Sequence, residues 1–133
     1  MLALSGSACA KFQTARECGT FMDAIKAWKS QAAPVSTTPV TSPADASIEA
    51  LALAKRYDDL SQRIDALKLT SSELKPRAER YQKLAREAAK SLRDVADAVE
   101  KGDSAGARKR RVQFDDIAKG EGPLVTDING VCR

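Results

Sequence analysis

Three cysteines, Cys9, Cys18 and Cys132, and no histidine set the limits on what chemistry this chain of 133 residues can do. Without histidine, a His-ligated haem, the usual Glu-x-x-His di-iron set and every His-containing zinc site are excluded. The cysteines are scattered too widely for a zinc or iron–sulfur spacing. There is no glycine-rich phosphate loop, no Ser–His or Cys–His pair and no G-x-S-x-G. Asp58-Asp59 and Asp115-Asp116 are adjacent carboxylates, but sequence neighbours on a helix point about 100° apart, so neither pair is arranged for acid–base work. The expectation is a protein that is not an enzyme, with no cofactor, no metal site and no evident small-molecule substrate.

One concentrated feature remains, the run Arg108-Lys109-Arg110-Arg111. Four successive cations can contact phosphates, lipid headgroups or an acidic protein partner. Wrapped around a helix they form a collar instead of a flat patch. No aromatic residue interleaves them, which argues against single-stranded nucleic acid and makes nucleic acid the less favoured anion. A solvated charged turn is the plainer reading. The net charge of +4 permits an anionic surface as partner without demanding one.

The elements that would carry these residues are helical. From Ser72 to Lys101 the apolar positions Leu74, Ala78, Tyr81, Ala85, Ala88, Leu92, Val95 and Val99 alternate spacings of four and three. That repeat keeps one seam on one side of an α-helix, and a narrow seam of this kind requires partners. A first helix is expected over Lys11 to Ala32, with Phe12, Phe21, Ile25 and Trp28 filling the interior and Gly19 marking a weak point. A second runs from Ala44 to Leu69 through Leu53, Tyr57, Leu60, Ile64 and Leu67, with Ile48 and Leu51 ahead of them; Ser42 or Asp45 can cap it. Lys68 to Ser72 leaves only a short turn before the third helix, which Ser72, or Thr70 with Glu73, would cap. Gly102-Asp103-Ser104 ends the third helix and starts a fourth over Ser104 to Lys119, with Ala107, Phe114, Ile117 and Ala118 inward. Gly120 to Pro123 then stops it, leaving an apolar tail that packs as a short turn. Acid-before-base pairs at i,i+4 (Asp59–Arg63, Glu73–Arg77, Glu79–Lys83, Asp97–Lys101) support the exposed faces.

Between the first two helices, residues 33–43 read APVSTTPVTSP, whose prolines forbid helix and favour an extended linker. Eleven such residues span at most ~35 Å, enough for a reversal or a long crossover. The fold class is therefore all-α, an antiparallel four-helix bundle with a long Pro/Ser/Thr linker between helices 1 and 2. At this length residues 11–133 make one domain. Aromatics are only 5% and much of the apolar content is alanine, so the core is thin and a covalent link would help it.

Residues 1–10, MLALSGSACA, stand apart from that domain. An apolar start, then Ser and Gly, then Ser7-Ala8-Cys9 resembles the end of a bacterial lipoprotein signal peptide, in which a Cys after small residues receives the lipid. Ala8-Cys9-Ala10 also reads as an A-x-A cleavage site for ordinary secretion. With the Ala/Lys/Glu/Arg-rich helices, the chain resembles small bacterial envelope lipoproteins of helical-bundle type. The resemblance implies a location in the bacterial cell envelope (periplasm or outer membrane), a possible lipid anchor at Cys9, and another envelope protein as partner. On a membrane the collar could steady the protein.

Alternating helix directions would bring the start of helix 1 and the end of helix 4 to one end, where a Cys18–Cys132 disulfide would close nearly the whole chain. Cys9 is then the odd cysteine, free for a lipid. Cys9–Cys132 is the competing pairing, and in a cytoplasmic protein all three would be reduced. Two functions follow: an envelope scaffold or interaction module, and a cytosolic bundle that binds nucleic acid or other anions through Arg108 to Arg111.

Overall fold

The computed structural model describes residues 5–31 and 42–133, and every regular element among them is an α-helix: α1 Ser5–Ser30, α2 Pro43–Ala66, α3 Leu74–Glu100, α4 Ser104–Lys119 and α5 Glu121–Val131. Helix α3 touches each of the other four and is the spine of the fold. Most of the stretch expected as a linker, residues 33–43, lies outside the described residues. Its last two members are described, and they start α2: the Ser42 hydroxyl accepts from Asp45 N–H at 3.2 Å, and Pro43 takes the first helical position. Proline costs nothing there, because that N–H has no helical partner.

Each turn has a local cause. Between α2 and α3, Lys68 adopts a left-handed φ of 51°, and the Ser71 hydroxyl accepts from Leu74 N–H at 3.2 Å. Ser71 therefore does the capping expected of Ser72 or Thr70. Between α3 and α4, Gly102 sits at φ 72°, and the Asp103 carboxylate accepts from Gly106 N–H at 2.8 Å. A Cβ on Gly106 would lie 2.1 Å from that carboxylate, so a larger residue there would make the Asp103 side chain shift.

After Lys119 the expectation was a stop and one short turn. Instead only Gly120 interrupts the chain, and α5 continues for 11 residues. Pro123 falls in the first turn of α5, where a missing N–H does no harm, and Ile128 is buried with Leu124 and Val125 packed beside it.

All eight seam residues of α3 lie inward, seven buried and Val99 partly so. The buried face is wider than one seam, because Gln82, Leu84, Ala89, Ser91 and Ala96 are buried as well. Helices on both flanks explain the width: α2 on one side, α4 and α5 on the other. Along α2, side chains meet α3 in reversed chain order, Ser61 with Gln82 and Arg86, Asp58 with Arg93, Ser47 with Glu100.

Two clusters of buried side chains make the core. One joins Cys18, Phe21, Ile25 and Trp28 of α1 to Leu60 and Ile64 of α2 and to Leu74, Tyr81 and Ala85 of α3. The other is mostly alanine, with Leu92, Val95 and Phe114. Rings link them: Phe21 to Tyr81, Trp28 to Tyr57 and Tyr57 to Phe114 are edge or tilted contacts with centroids 5.9–6.3 Å apart.

Three residues expected inside are outside. Phe12 is 71% exposed, and Ile48 and Leu51 face solvent. In α2 the face toward α3 is instead the one carrying Ser47, Ala50 and Ala54, which are buried, so Ile48 and Leu51 fall on the outward side. Phe12 stands in α1 before its first described contact to the body, at Gln13. Gly19 does not break α1; it is exposed, and no atom stands within 4 Å of where its Cβ would be.

Candidate functional site

A disulfide joins Cys18 to Cys132 across a separation of 114 residues, and Cys9 is exposed and unbridged. The Cys9–Cys132 pairing is thereby set aside. Cys18 reaches its partner because α5 runs on beside α3 and brings Cys132 back to α1, while Cys18 itself is buried in the core. Residues 5–10, read as part of a separate leader, belong to α1, and Cys9 stands in that helix.

From Cys9 to Gln13 every residue of α1 is exposed. Five successive exposed positions exceed one full turn, so this part of the helix is uncovered on all sides. The first contacts to the body, among the described residues, are Gln13 with the Thr70 hydroxyl and Thr14 with Ser71 at 2.7 Å. Glu17 completes the joint. Its carboxylate accepts from Thr70 N–H (2.8 Å), the Thr70 hydroxyl (2.8 Å) and Ser71 N–H (2.7 Å). Burial alone would raise the Glu17 carboxyl, yet these bonds together hold it below its ordinary value. Nothing in the sequence singled out Glu17, since an acid beside a seam reads by default as solvated.

A second joint lies between α3 and α5. Asp127 pairs with both Arg77 and Arg80; Arg77 first, and then Arg80, pull its carboxyl down against the opposing effect of desolvation. Arg77 Nε lies 3.2 Å from Asp127 Oδ2 as an ion pair but lacks an aligned hydrogen bond, alone among buried side-chain polar atoms of the described residues. Arg77 thus serves α5 instead of the expected Glu73 side chain, and donates only to the Glu73 backbone carbonyl. Of the other expected pairs, Asp59–Arg63 and Asp97–Lys101 form at 2.8 Å, whereas Lys83 turns to Glu87. The Tyr81 hydroxyl donates to Glu121; burial first, then this carboxylate, raises the phenol far above its usual value. Tyr57 is raised by the same two causes in the same order. Both phenols stay protonated; Tyr81 is a hydrogen-bond anchor and Tyr57 a packing group between the Trp28 and Phe114 rings.

All four members of the basic run are exposed on α4. Arg111 pairs with Asp115 at 3.5 Å and lies over the Phe114 ring, and Arg110 donates to Gln113 at 3.1 Å. Arg108 and Lys109 have no partner among the described residues. The collar follows the Asp103 cap at the C-terminal end of α3, whereas Cys9 precedes the Glu17 joint at the N-terminal end. The 27 residues of α3 separate those ends by roughly 40 Å.

A cleft of about 430 Å³ opens beside the α2–α3 turn. Lys68 and Lys75 at its rim are matched by Asp65 and Glu79, so it favours neither sign of charge. No group of three or more metal-ligating residues comes together among the described residues, and no described helix is long and apolar enough to cross a membrane. No protein family, curated protein or solved structure matches this chain.

Proposed function

We propose that this chain is a non-enzymatic protein of the bacterial cell envelope, a helical bundle anchored by a lipid on Cys9 or secreted, that serves as an interaction or scaffold module for another envelope protein. The observation that carries the reading is the division of the cysteines. A bridge between distant parts of the chain suits an oxidising compartment, and the odd cysteine stands on an uncovered helical turn. Removal of residues 1–8 would leave Cys9 first in the chain. It would touch none of the described contacts of α1, which begin at Gln13.

The finer architecture belongs to the same proposal. We read α1 to α4 as running in alternate directions, an antiparallel four-helix bundle with residues 33–43 as the long connector and α5 as a strap. Support comes from the reversed order of contacts between α2 and α3, and from Glu17 meeting Thr70 while Trp28 Nε1 donates to the Arg56 carbonyl at 2.8 Å.

Intact-mass analysis of protein taken from its native cells with thiols blocked at lysis tests the reading. A Cys18–Cys132 bridge and an N-terminal Cys9 carrying a lipid mass are expected, or a chain cut after Ala10 if it is secreted. Three blocked thiols on an uncut chain would overturn it. Arg108 and Lys109, exposed and without a partner among the described residues, favour a second reading, a cytosolic bundle that binds nucleic acid or another polyanion. Salt-sensitive DNA binding lost in the Arg108→Glu, Lys109→Glu double variant would establish that instead.

A further inference from the structure

We infer that the cleft beside the α2–α3 turn binds a small zwitterion whose ammonium and carboxylate stand about one helical turn apart, as the two ends of a dipeptide do. The cleft measures about 430 Å³, room enough for a molecule of that size, and Ile64, Leu69 and Ala78 line it with apolar surface. All three belong to the buried core, so this lining is fixed in place.

Four exposed charges ring the cleft: Lys68, Lys75, Asp65 and Glu79. They sum to zero, but the two signs are not mixed. On the α2 side the base lies nearest the turn, with the acid three residues behind it. On α3 the base comes first and the acid four residues later. Gln82 Nε2 donates to the Ser61 carbonyl at 3.0 Å, and this contact sets the register of the two helices. Lys68 thereby falls opposite Lys75, and Asp65 opposite Ala78 and Glu79. The cleft has a cationic end at the turn and an anionic end about 6 Å further in, the rise of four helical residues.

None of the four charges forms an ion pair or a side-chain hydrogen bond among the described residues. Their spacing does not explain this. Lys83–Glu87 and Lys90–Asp94 have the same order and separation as Lys75 and Glu79, and both pair. The anionic end also holds a third acceptor. Gln82 is only 8% exposed, its Nε2 is spent on Ser61, and its Oε1 accepts from nothing among the described residues. An ammonium group has three N–H donors, and Asp65, Glu79 and the Gln82 oxygen supply three acceptors. A carboxylate at the other end accepts from Lys68 and Lys75.

The separation of the two ends selects the ligand class. A single α-amino acid carries both charges on one carbon and reaches only one end. An extended dipeptide sets them about 6–7 Å apart and can lay a side chain against Ile64 and Leu69. A plain anion or cation meets the wrong sign one turn away. The site does not depend on the compartment proposed above, and the purified chain with its disulfide intact suffices to test it.

The test is titration of the isotope-labelled full chain with alanyl-leucine, followed by the backbone amide resonances. Saturable shifts at Leu69, Ala78 and Gln82 are expected. Leucine, acetyl-alanyl-leucine and alanyl-leucine amide should each bind roughly tenfold more weakly. Lys68→Gln with Lys75→Gln should lose a similar factor, as should Asp65→Asn with Glu79→Gln, and because these positions are exposed the helical circular dichroism should not change. Arg108→Glu with Lys109→Glu should leave binding as it was. The inference is overturned if alanyl-leucine gives no saturable shift, or if its shifts fall outside the cleft. It is equally overturned if leucine or either blocked dipeptide binds as well as alanyl-leucine, or if either double variant of the cleft binds undiminished.

Discussion

Around the first half of α3, from Leu74 to Ala85, the chain packs Phe21, Ile25, Trp28, Leu60, Ile64 and a disulfide. Around the second half, from Ala88 to Val99, five of the eight buried residues of the cluster are alanines: Ala50, Ala54, Ala88, Ala89 and Ala96. The first half holds its helices apart with bulk and ties them covalently and by the Glu17 and Asp127 joints. The second lets α2 and α4 come close to α3 on small side chains, with Phe114 as its one large wedge. Alanine buries little area per residue, so close approach and dispersion contacts must do there what transfer of large side chains does in the other half. One helix therefore serves two packing regimes, and its ends differ outwardly as well: the bulky, linked end carries the exposed turn of α1, and the alanine end carries the collar.

If the halves differ in this way, the largest effect comes from removing the link. Loss of the 114-residue cross-link in Cys132→Ser should lower stability by roughly 4–5 kcal/mol on the loop-closure model. Urea unfolding measures the total, and native-state hydrogen exchange locates it. Amides of α5 and of α1 near Cys18 should lose protection first, while those from Ala88 to Val99 lose it only through global unfolding. Equal loss along all of α3 would mean one cooperative unit and would dissolve the comparison.

Overpacking should be felt most in the alanine half. Ala88 has no exposed surface, so Ala88→Leu forces α2 or α4 away from α3 at a cost of about 1–3 kcal/mol. The melting temperature reads this, and Phe114 contacts should be disturbed before those of Phe21. In the linked half the comparable probe is a polar one. Tyr81→Phe removes the donor to Glu121 and should cost about 1.5 kcal/mol, since the bond is to a charged group. A neutral result would mean that packing of the ring against Phe21 is all that Tyr81 contributes.

How much of this was legible in the sequence depended on whether a residue's role is periodic or pairwise. The seams of α2 and α3 follow from spacing, and the boundary at Gly102-Asp103-Ser104 from cap chemistry, which is local. The Cys18–Cys132 bridge followed from topology once the helix order was assumed. Phe12 was misplaced because periodicity identifies a face without saying how far a partner extends along it, and Ile48 because the buried face at the start of α2 is built from the small Ser47, Ala50 and Ala54 instead of the large apolar residues. The length of α5 was missed because Gly122 and Pro123 read as a stop, although proline is harmless in a first turn. Glu17, Ser71 and Asp127 carry no periodic signal. Their partners on other elements lie 47 to 57 residues away in sequence, and only the folded arrangement brings them within reach. The collar was visible as a run, but not that Arg110 and Arg111 are engaged while Arg108 and Lys109 have no partner among the described residues.

The smallest expected effect tests the joint that sets the angle of the exposed tip. Glu17→Gln leaves the side chain the same size but removes the charge that three donors share, and at neutral pH it should cost about 1 kcal/mol. The sign of its pH dependence is fixed by the direction of the shift. The folded-state carboxyl is held below the ordinary value of 4.5, so the unfolded chain takes up a proton first as pH falls. Below that value the unfolded state binds more protons than the native state, and stability drops with falling pH. The advantage of the native protein over Glu17→Gln is therefore full above pH 4.5 and declines as pH falls through the lowered folded-state value. Paired urea titrations at pH 7 and pH 3 measure it. A gap that is the same at both would show that the carboxylate's charge contributes nothing, and that Gln13, Thr14 and packing alone hold α1 to the α2–α3 turn.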